Sequence, residues 1–316
     1  MKKIFLLFVA LIFVVACNLP FIPFGSSPTE TPNDIVVTAT SVWHGEATAS
    51  SPMPEGTAVT PAGGQSLPKM ILPTEPTGTT IEGVTMSFPS CLSNAVIGGT
   101  YPAQPYDPMS GLMEVYPEHR RFDFTHYPLT DTFFPPFMRV FPVAGFADAY
   151  ALADSNYAQD QVVKLYNLLT TRPLEVDNQL PFLVMTGAAQ LFHTKLTYIS
   201  FANGNGIRYL TEYGQYYAPY NNHDLFYTFQ GITSDGKYWV SVVFPVNHAL
   251  LPANADATEV PPGSIPIPSS ESSTYEEDMM EYYARMDGLM YAAPENTFTP
   301  ALDCLDQFVQ SLYIGD

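Results

Sequence analysis

Hydrophobic and polar residues alternate along four stretches in the second half of the chain. These are residues 191–201, 207–213, 225–232 and 238–244. This period of two is typical of strands with one buried face. The first two stretches are joined by 202–206 and the last two by 234–237, short segments that contain Asn-Gly and Asp-Gly. Because these dipeptides accept the positive φ angles of tight turns, the pattern predicts two consecutive antiparallel hairpins between residues 190 and 246.

Three shorter alternating stretches precede the hairpins, at 84–88, 121–126 and 137–143. Each predicts a strand, and Pro142 places the third at a sheet edge or a bulge, since proline cannot donate to a strand ladder. The segment between the first two strands is rich in Pro and Gly as far as Glu118. It predicts a long irregular loop.

Apolar residues at three- and four-residue spacing predict three helices. The first covers 157–171, with N-cap oxygens available at 154–156. The second follows Thr274 and Glu277, which stand at capping-box spacing. The third opens at Thr299-Pro300, with Thr as N-cap and Pro at the first helical position. A Pro- and Ser-rich loop at 252–273 separates the hairpins from the second helix. The order of elements predicts an α+β domain at 80–316, with a largely antiparallel sheet covered by helices.

The amino terminus has the layout of an export signal. Lys2 and Lys3 precede a charge-free apolar run that is too short to span a bilayer, and Ala16 and Cys17 follow it. Residues 14–17, Val-Val-Ala-Cys, resemble the lipobox of bacterial lipoproteins. The resemblance implies that residues 1–16 are removed and that Cys17 carries a diacylglycerol on its sulfur. The alternative is an ordinary secretory signal that ends in Cys. Residues 17–79 are rich in Pro, Thr and Ser and predict a disordered tether.

The chain has three cysteines, and an exported protein normally pairs its thiols. If Cys17 carries lipid, Cys91 and Cys304 remain, and the natural consequence is one disulfide across the folded domain. Two buried free thiols are the alternative.

Charge and motifs exclude several functions. The net charge of −19 makes nucleic acid and anionic lipid poor partners. The chain lacks a G-x-S-x-G elbow, a pair of histidines one helical turn apart and a Gly-Lys-Ser/Thr phosphate loop. The sequence therefore indicates no catalytic residues, no cofactor and no metal site. His223-Asp224 could orient an imidazole for acid–base chemistry, but a turn or strand cap is the simpler interpretation.

Tyrosines and asparagines concentrate between the two hairpins and form the candidate ligand-binding residues. Tyrosine supplies rigid apolar area with a hydroxyl group, and asparagine supplies amide donors and acceptors, a mixture used by sugar- and peptide-binding surfaces. The alternative is that these tyrosines belong to the core. The candidates are Tyr213, Tyr216, Tyr217, Tyr220, Asn221 and Asn222.

The folded part resembles the Mog1/PsbP-like sandwich in three segments: GVTMSFP, LFYTFQGITSDGKYWVSVVFP and LDQFVQSLYI. The resemblance implies a non-enzymatic assembly or interaction factor. We therefore expect a lipoprotein of the bacterial cell membrane or outer membrane, with an extracytoplasmic domain that binds an envelope protein or glycan. The alternatives are a hydrolase or transferase that acts on envelope polymers, and a structural spacer. A deep pocket with a His-carboxylate pair would favour the enzyme, and a shallow aromatic groove the binder.

Overall fold

The structure, a computed structural model, describes residues 78–89, 91–92, 95–109, 111–176, 179–183, 186–257 and 259–316. The leader, Cys17 and the tether lie outside these residues, so the predictions made for them stay predictions. Within the described ranges, no helix combines the length and the apolar character that crossing a membrane requires.

The described chain folds as a mixture of strands and helices. The strands are β1 Thr79–Ile81, β2 Val84–Met86, β3 Ala95–Tyr101, β4 His119–Thr125, β5 Phe137–Pro142, β6 Ala189–Phe201, β7 Gly204–Gly214, β8 Phe226–Thr233, β9 Tyr238–Pro245, β10 Asn247–His248, β11 Phe298–Thr299 and β12 Tyr313–Ile314. The helices are α1 Gly145–Ala149, α2 Tyr157–Thr171, α3 Tyr275–Ala292 and α4 Leu302–Gln310.

Seven strands form one antiparallel sheet in the order β3-β4-β5-β9-β8-β7-β6. The two predicted hairpins are its β6-β7 and β8-β9 pairs, and β7 also pairs with β8. The α+β fold with a largely antiparallel sheet is therefore confirmed. A small sheet, β1-β2-β12, brings the two ends of the domain together, because Tyr313 pairs with Thr85.

The turn of the first hairpin is shorter than the predicted connection at 202–206. Phe201 already pairs with Gly204, so the turn consists of Ala202 and Asn203. Gly204 and Gly206 instead lie in β7, where a Cβ atom would collide with the ring of Phe201 or Phe229. In the second hairpin Gly236 does adopt a positive φ of 73°, as the Asp-Gly pair predicts.

Strand β3 corrects the prediction that 89–118 is an irregular loop throughout. Its glycines suggested a loop, but Gly98 serves close packing: a Cβ there would lie 2.7 Å from the Ile81 side chain and 2.8 Å from the Phe122 ring. The whole strand pairs with β4, from Ala95 opposite Thr125 to Tyr101 opposite His119. Pro142 does end an inner strand, β5, which lies between β4 and β9. It therefore stands at the strand's last residue and not at a sheet edge.

Helix α2 has the predicted bounds, whereas the starts of the other two helices differ in detail. Thr274 is the N-cap of α3, but its side chain forms no cap hydrogen bond and donates to Asp278 instead. The expected capping box is therefore wrong. Helix α4 begins at Leu302, after a cis Thr299-Pro300 bond, and not at Thr299. Ala301 is the N-cap.

Helices α3 and α4 cover one face of the large sheet, called here the helical face. Their buried residues pack with alternate strand residues such as Phe124, Phe229 and Phe244 in the main core. Cys91 and Cys304 form the disulfide that the cysteine count predicts, with 6.2 Å between their Cα atoms. It ties the first turn of α4 to the segment after β2. The loop at 252–273 also contributes to this core, through Ile265 and Ile267.

A buried ionic cluster joins α4 to the helical face. The Arg208 guanidinium, 1% exposed, donates to both carboxylate oxygens of Asp306 at 3.1 and 2.8 Å and to Glu295 at 2.6 Å. Asp306 also accepts the Tyr227 hydroxyl at 2.9 Å. Each buried charge therefore has a partner, as burial requires.

Candidate functional site

The opposite face of the sheet, called here the open face, is covered in part by α1, whose Phe146 packs on Phe141 of β5, and in part by a segment beneath α2. Gln230 and Ser241 lie side by side on β8 and β9 and bind the backbone of Leu183, through Leu183 N–H to Gln230 Oε1 at 3.3 Å and Ser241 Oγ to Leu183 O at 2.8 Å. Helix α2 lies over this segment, since Gln161 accepts the Phe182 N–H at 3.2 Å. Through these hydrogen bonds the segment at 182–183 and helix α2 cover the open face at β8 and β9.

The same cross-strand row continues onto β5 and β4. Ser241 stands opposite Arg139 on β5, and Arg139 stands opposite Arg121 on β4. Ile97 and Tyr101 on β3, whose side chains alternate to this face, are 65% and 39% exposed. The row therefore ends in two adjacent arginines, which are only partly buried.

A cleft of about 1200 Å³ lies over these arginines and the adjoining ends of the strands. Strands β4 and β5 form its floor. Four parts of the chain form its walls, and the lining residues are 104 and 113–114, 131 and 133–135, 182–183, 186–188 and 191, and 212–216, 218 and 223–224, with 254–256 at the rim. Loops and the ends of β6 and β7 thus build the walls and the sheet fixes the floor, an arrangement common in binding sites.

Aromatic rings line the cleft between the arginines and the strand ends. Phe134 packs edge-on against Phe226 at 5.1 Å between ring centroids, and Phe182 lies 4.9 Å from Tyr213. Phe133 is 55% exposed and contacts Phe134 at 4.8 Å. Apart from Phe133, these rings belong to a small core of their own beside the main one. Phe134, Phe182 and Tyr213 of this core line the cleft.

The two arginines differ in their partners. Arg121 is paired with Asp123, through Nε–H donation at 2.9 and 3.1 Å and an ion pair at 2.8 Å. Among the described residues, no carboxylate forms an ion pair with Arg139, and its buried Nε has no hydrogen-bond partner. Arg139 rests instead on the rings of Phe137 at 4.8 Å and Tyr116 at 5.7 Å. Burial lowers the pKa of Arg139, and the charge of Arg121 lowers it further.

His119 lies on the same face of β4 as Arg121, two residues away, and adds no charge. Its ring lies 4.7 Å from Phe141 and 4.8 Å from Tyr116, and Nδ1 contacts the Pro117 carbonyl oxygen at 3.0 Å. Burial lowers the pKa of His119 to about 4, assisted by the nearby Arg139 and Arg121. The imidazole is therefore neutral at pH 7.

A second polar group lies at the other end of the cleft. His223 Nδ1 is 2.6 Å from Asp224 Oδ1, and the Asn221 amide donates to Asp224 Oδ2 at 2.9 Å. Asn221 also donates its backbone N–H to Glu212 at 2.8 Å. Burial raises the pKa of Glu212 well above its usual range. The His-Asp pair, which the sequence favoured as a turn or cap, is thus held in a fixed orientation at the cleft.

The structure divides the six tyrosine and asparagine candidates into two groups. Tyr220 and Asn221 are completely buried; Tyr220 stacks on Phe192 and donates its hydroxyl to Asp287. Asn222 donates to the carbonyl oxygens of His248 and Leu251 at 3.2 and 3.0 Å, which ties down the loop after β10. These three residues have structural roles.

The other three tyrosines are placed differently. Tyr213 and Tyr216 line the cleft, and Tyr216 is 70% exposed. Tyr217 is 37% exposed and lies beside Tyr283, outside the lining of the cleft. The hypothesis of a tyrosine-rich ligand site is therefore narrowed to Tyr213 and Tyr216, which adjoin the aromatic wall.

The Tyr220–Asp287 contact predicts a pH effect on stability. Burial raises the pKa of Asp287 to about 6, although the Tyr220 hydrogen bond opposes the shift. Because an unfolded aspartate titrates near pH 3.9, the folded state binds the proton more tightly. Its contribution is present below about pH 4 and is lost as the pH rises through about 6. We compare the free energy of unfolding at pH 4 minus that at pH 8. We expect this quantity to be about 2 kcal/mol smaller in Asp287→Asn than in the natural chain.

Urea unfolding at five pH values between 4 and 8 measures this difference. Asparagine keeps the acceptor for Tyr220 and removes the titration, so other ionisable groups cancel in the comparison. Parallel pH profiles for the two chains would contradict the buried position of Asp287.

Sequence reasoning missed the pair Arg121 and Arg139. It also missed the phenylalanines that line the cleft, called here the phenylalanine wall: Phe133, Phe134 and Phe182. A usable signal was present, since Arg121 and Arg139 both alternate with buried residues in stretches predicted as strands. Their shared face was not predictable, because the pairing of β4 with β5 and of β5 with β9 is fixed by the tertiary fold.

No protein-family model, no curated protein and no solved structure matches this chain. The resemblance to the Mog1/PsbP-like sandwich and to lipoprotein signals therefore stays a prediction. In the part of the chain that the structure describes, no group of three or more His, Cys, Asp or Glu side chains is arranged to hold a metal ion.

Proposed function

We propose that this chain is an exported, lipid-anchored binding protein of the bacterial envelope, and that its α+β domain takes up a ligand in the cleft on the open face. The observation that carries the proposal is the cleft itself, about 1200 Å³ over the part of the open face that holds Arg121 and Arg139. Sheet faces normally bury their apolar side chains under another layer, so a cleft with exposed rings favours a binding surface.

The composition of the cleft supports small-molecule or short-chain binding. Phe133, Phe134 and Tyr216 offer ring faces and edges, while Arg139 and His223 offer polar contacts. Ligand sites typically combine an apolar lining with a few placed polar groups, as this cleft does. An aromatic wall of this kind suits a ligand with a flat apolar body.

A neutral aromatic probe tests the binding function without involving charge. We expect 2-naphthamide to bind the processed chain, residues 17–316 carrying Cys17→Ser, with a dissociation constant on the order of 1 mM or lower. Phe133→Ala should weaken binding about fivefold, because the ring at the cleft mouth contributes stacking of about 1 kcal/mol. Equilibrium dialysis with fluorescence detection measures both constants.

The control replaces an equally exposed apolar residue that does not line the cleft. Leu152 is 79% exposed, and Leu152→Ala should leave the dissociation constant unchanged. If the probe fails to bind at several times 1 mM, or if both variants weaken binding equally, the cleft is not the binding site.

The membrane anchor rests on the lipobox resemblance at residues 14–17. In a bacterial host with lipoprotein processing, the natural chain should sediment with membranes and carry a diacylglycerol, whereas Cys17→Ser should carry none. A diacylglycerol on one cysteine supplies two acyl chains, which anchor stably where one would not. A natural chain that remains soluble, with an unmodified thiol at position 17, would contradict the anchor.

A second function is favoured by one specific observation, the His223–Asp224 pair at the cleft. A carboxylate that orients an imidazole is the arrangement used for general acid–base catalysis, here on an envelope polymer. Release of soluble fragments from purified envelope polymer, abolished by His223→Gln, would favour this enzyme over the binding protein. Among the described cleft residues no serine or cysteine stands beside His223, so the reaction would use an activated water molecule.

A further inference from the structure

We propose that Arg139 forms an anion subsite within the cleft, and that the natural ligand carries a single carboxylate attached to a flat apolar body. This inference rests on the proposed binding function and adds the chemical class of the ligand. It is carried by the contacts of Arg139, which is half-buried and differs in its partners from the buried Arg208.

The comparison with Arg208 shows what a structural arginine looks like in this fold. Arg208 has Asp306, Glu295 and the Lys195 carbonyl oxygen as hydrogen-bond acceptors. Arg139, on the same sheet, lies against two aromatic rings, and no carboxylate among the described residues forms an ion pair with it. A guanidinium presents a planar fork of donors that fits a carboxylate with two parallel hydrogen bonds. A carboxylate of the ligand would supply hydrogen-bond acceptors for the Arg139 guanidinium, whose buried Nε has none in the protein.

The local charge favours a monoanion. Arg121 and Arg139 stand directly opposite each other across two strands, a position where like charges repel. Asp123 neutralises one of the two charges through its contacts with Arg121. One positive charge remains on the floor of the cleft, which matches one carboxylate better than a doubly charged group.

Acidic side chains elsewhere in the cleft limit what can bind near Arg139. Glu114 is exposed on the wall and interacts electrostatically with Arg139 without forming an ion pair. Asp131, Asp224 and Asp256 line the loop side, toward His223. An anionic group would therefore be repelled from the loop side and held on the floor, while the apolar body lies along the phenylalanine wall.

Arg139 also costs stability, which argues against a purely structural role. It is half-buried, its buried Nε has no hydrogen-bond partner, and it lies beside another cation. Replacing Arg139 by a neutral side chain of similar length removes the unpartnered Nε–H and the repulsion from Arg121. A residue that opposes folding and lies in a cleft is typical of a functional site.

Two probes of the same shape test the subsite: 2-naphthoate, which carries the carboxylate, and 2-naphthamide, which is neutral. We expect naphthoate to bind the processed Cys17→Ser chain about tenfold more tightly at pH 7 and low salt. Arg139→Gln should abolish this preference and leave naphthamide affinity within about twofold. Glu114→Gln should strengthen naphthoate binding, an effect opposite in sign.

Two further variants separate the subsite from general charge and from folding. Arg285, exposed on α3 and outside the cleft lining, is the charge control, and Arg285→Gln should leave both affinities unchanged. Arg139→Lys keeps the charge but loses the fork, and should recover only part of the preference. The melting temperature of Arg139→Gln should equal or exceed that of the natural chain.

Each possible result has a distinct meaning. Equal binding of the two probes, or a preference that survives Arg139→Gln, overturns the anion subsite while the binding function stands. A lower melting temperature in Arg139→Gln assigns the arginine a structural role and also overturns the subsite. Failure of both probes to bind contradicts the proposed function and the subsite together.

Discussion

Replacing Arg208 by methionine is expected to lower the free energy of unfolding by about 3–5 kcal/mol. The substitution leaves Asp306, whose side chain is 13% exposed, without its bidentate partner and with only the Tyr227 hydroxyl as a donor. Burial already raises the pKa of Asp306, and the loss of Arg208 raises it further. Urea unfolding followed by tyrosine and tryptophan fluorescence measures the loss.

The matched control removes the stranded carboxylate as well. A buried ion pair replaced on both sides by apolar groups often costs little, so Arg208→Met with Asp306→Leu should recover most of the stability. Glu295, 40% exposed, remains free to turn toward water in both variants. A single variant that costs less than about 1 kcal/mol would show that water reaches Asp306.

The disulfide is expected to have an effect of similar size. Cys91 and Cys304 are 213 residues apart, and closing a loop of that length removes about 5 kcal/mol of chain entropy from the unfolded state. The double variant Cys91→Ala with Cys304→Ala should therefore unfold at a much lower urea concentration. This loss is a large share of the stability of an ordinary domain.

Cys17→Ser is the control for the disulfide, because it replaces the third cysteine without touching the bridge. Its unfolding midpoint should equal that of the natural chain, and the reductant dithiothreitol should destabilise both to the same extent. A double variant with an unchanged midpoint would contradict a bridge that constrains the unfolded chain.

Local signals in the sequence predicted the elements best where one physical cause dominates. The apolar spacing of α2 gave its bounds correctly, and Gly236 has the positive φ that an Asp-Gly turn requires. Predictions failed where glycine had a packing role. Gly98 and Gly204 lie in strands because neighbouring rings leave no space for a Cβ atom, and a single sequence cannot separate this cause from turn formation.

The candidate site was predictable only in part. The tyrosine-rich segment does reach the cleft through Tyr213 and Tyr216, but Tyr220 is buried because α3 supplies Asp287 as its partner. That contact joins residues 67 positions apart. The arginine pair likewise depends on strand pairing. The types of side chain available for the site could therefore be predicted from the sequence. Which of them share one face of the sheet could not.

The central claim, that the open-face cleft binds the ligand, is tested most directly by methionine methyl NMR with 2-naphthoate. Met113 is 53% exposed in the cleft wall, whereas Met286 and Met290 are completely buried in the main core on the helical face. We predict that the ε-methyl resonance of Met113, assigned with Met113→Leu, shifts progressively and saturates while those of Met286 and Met290 stay in place. A Met113 resonance that does not move at saturating probe would contradict the account.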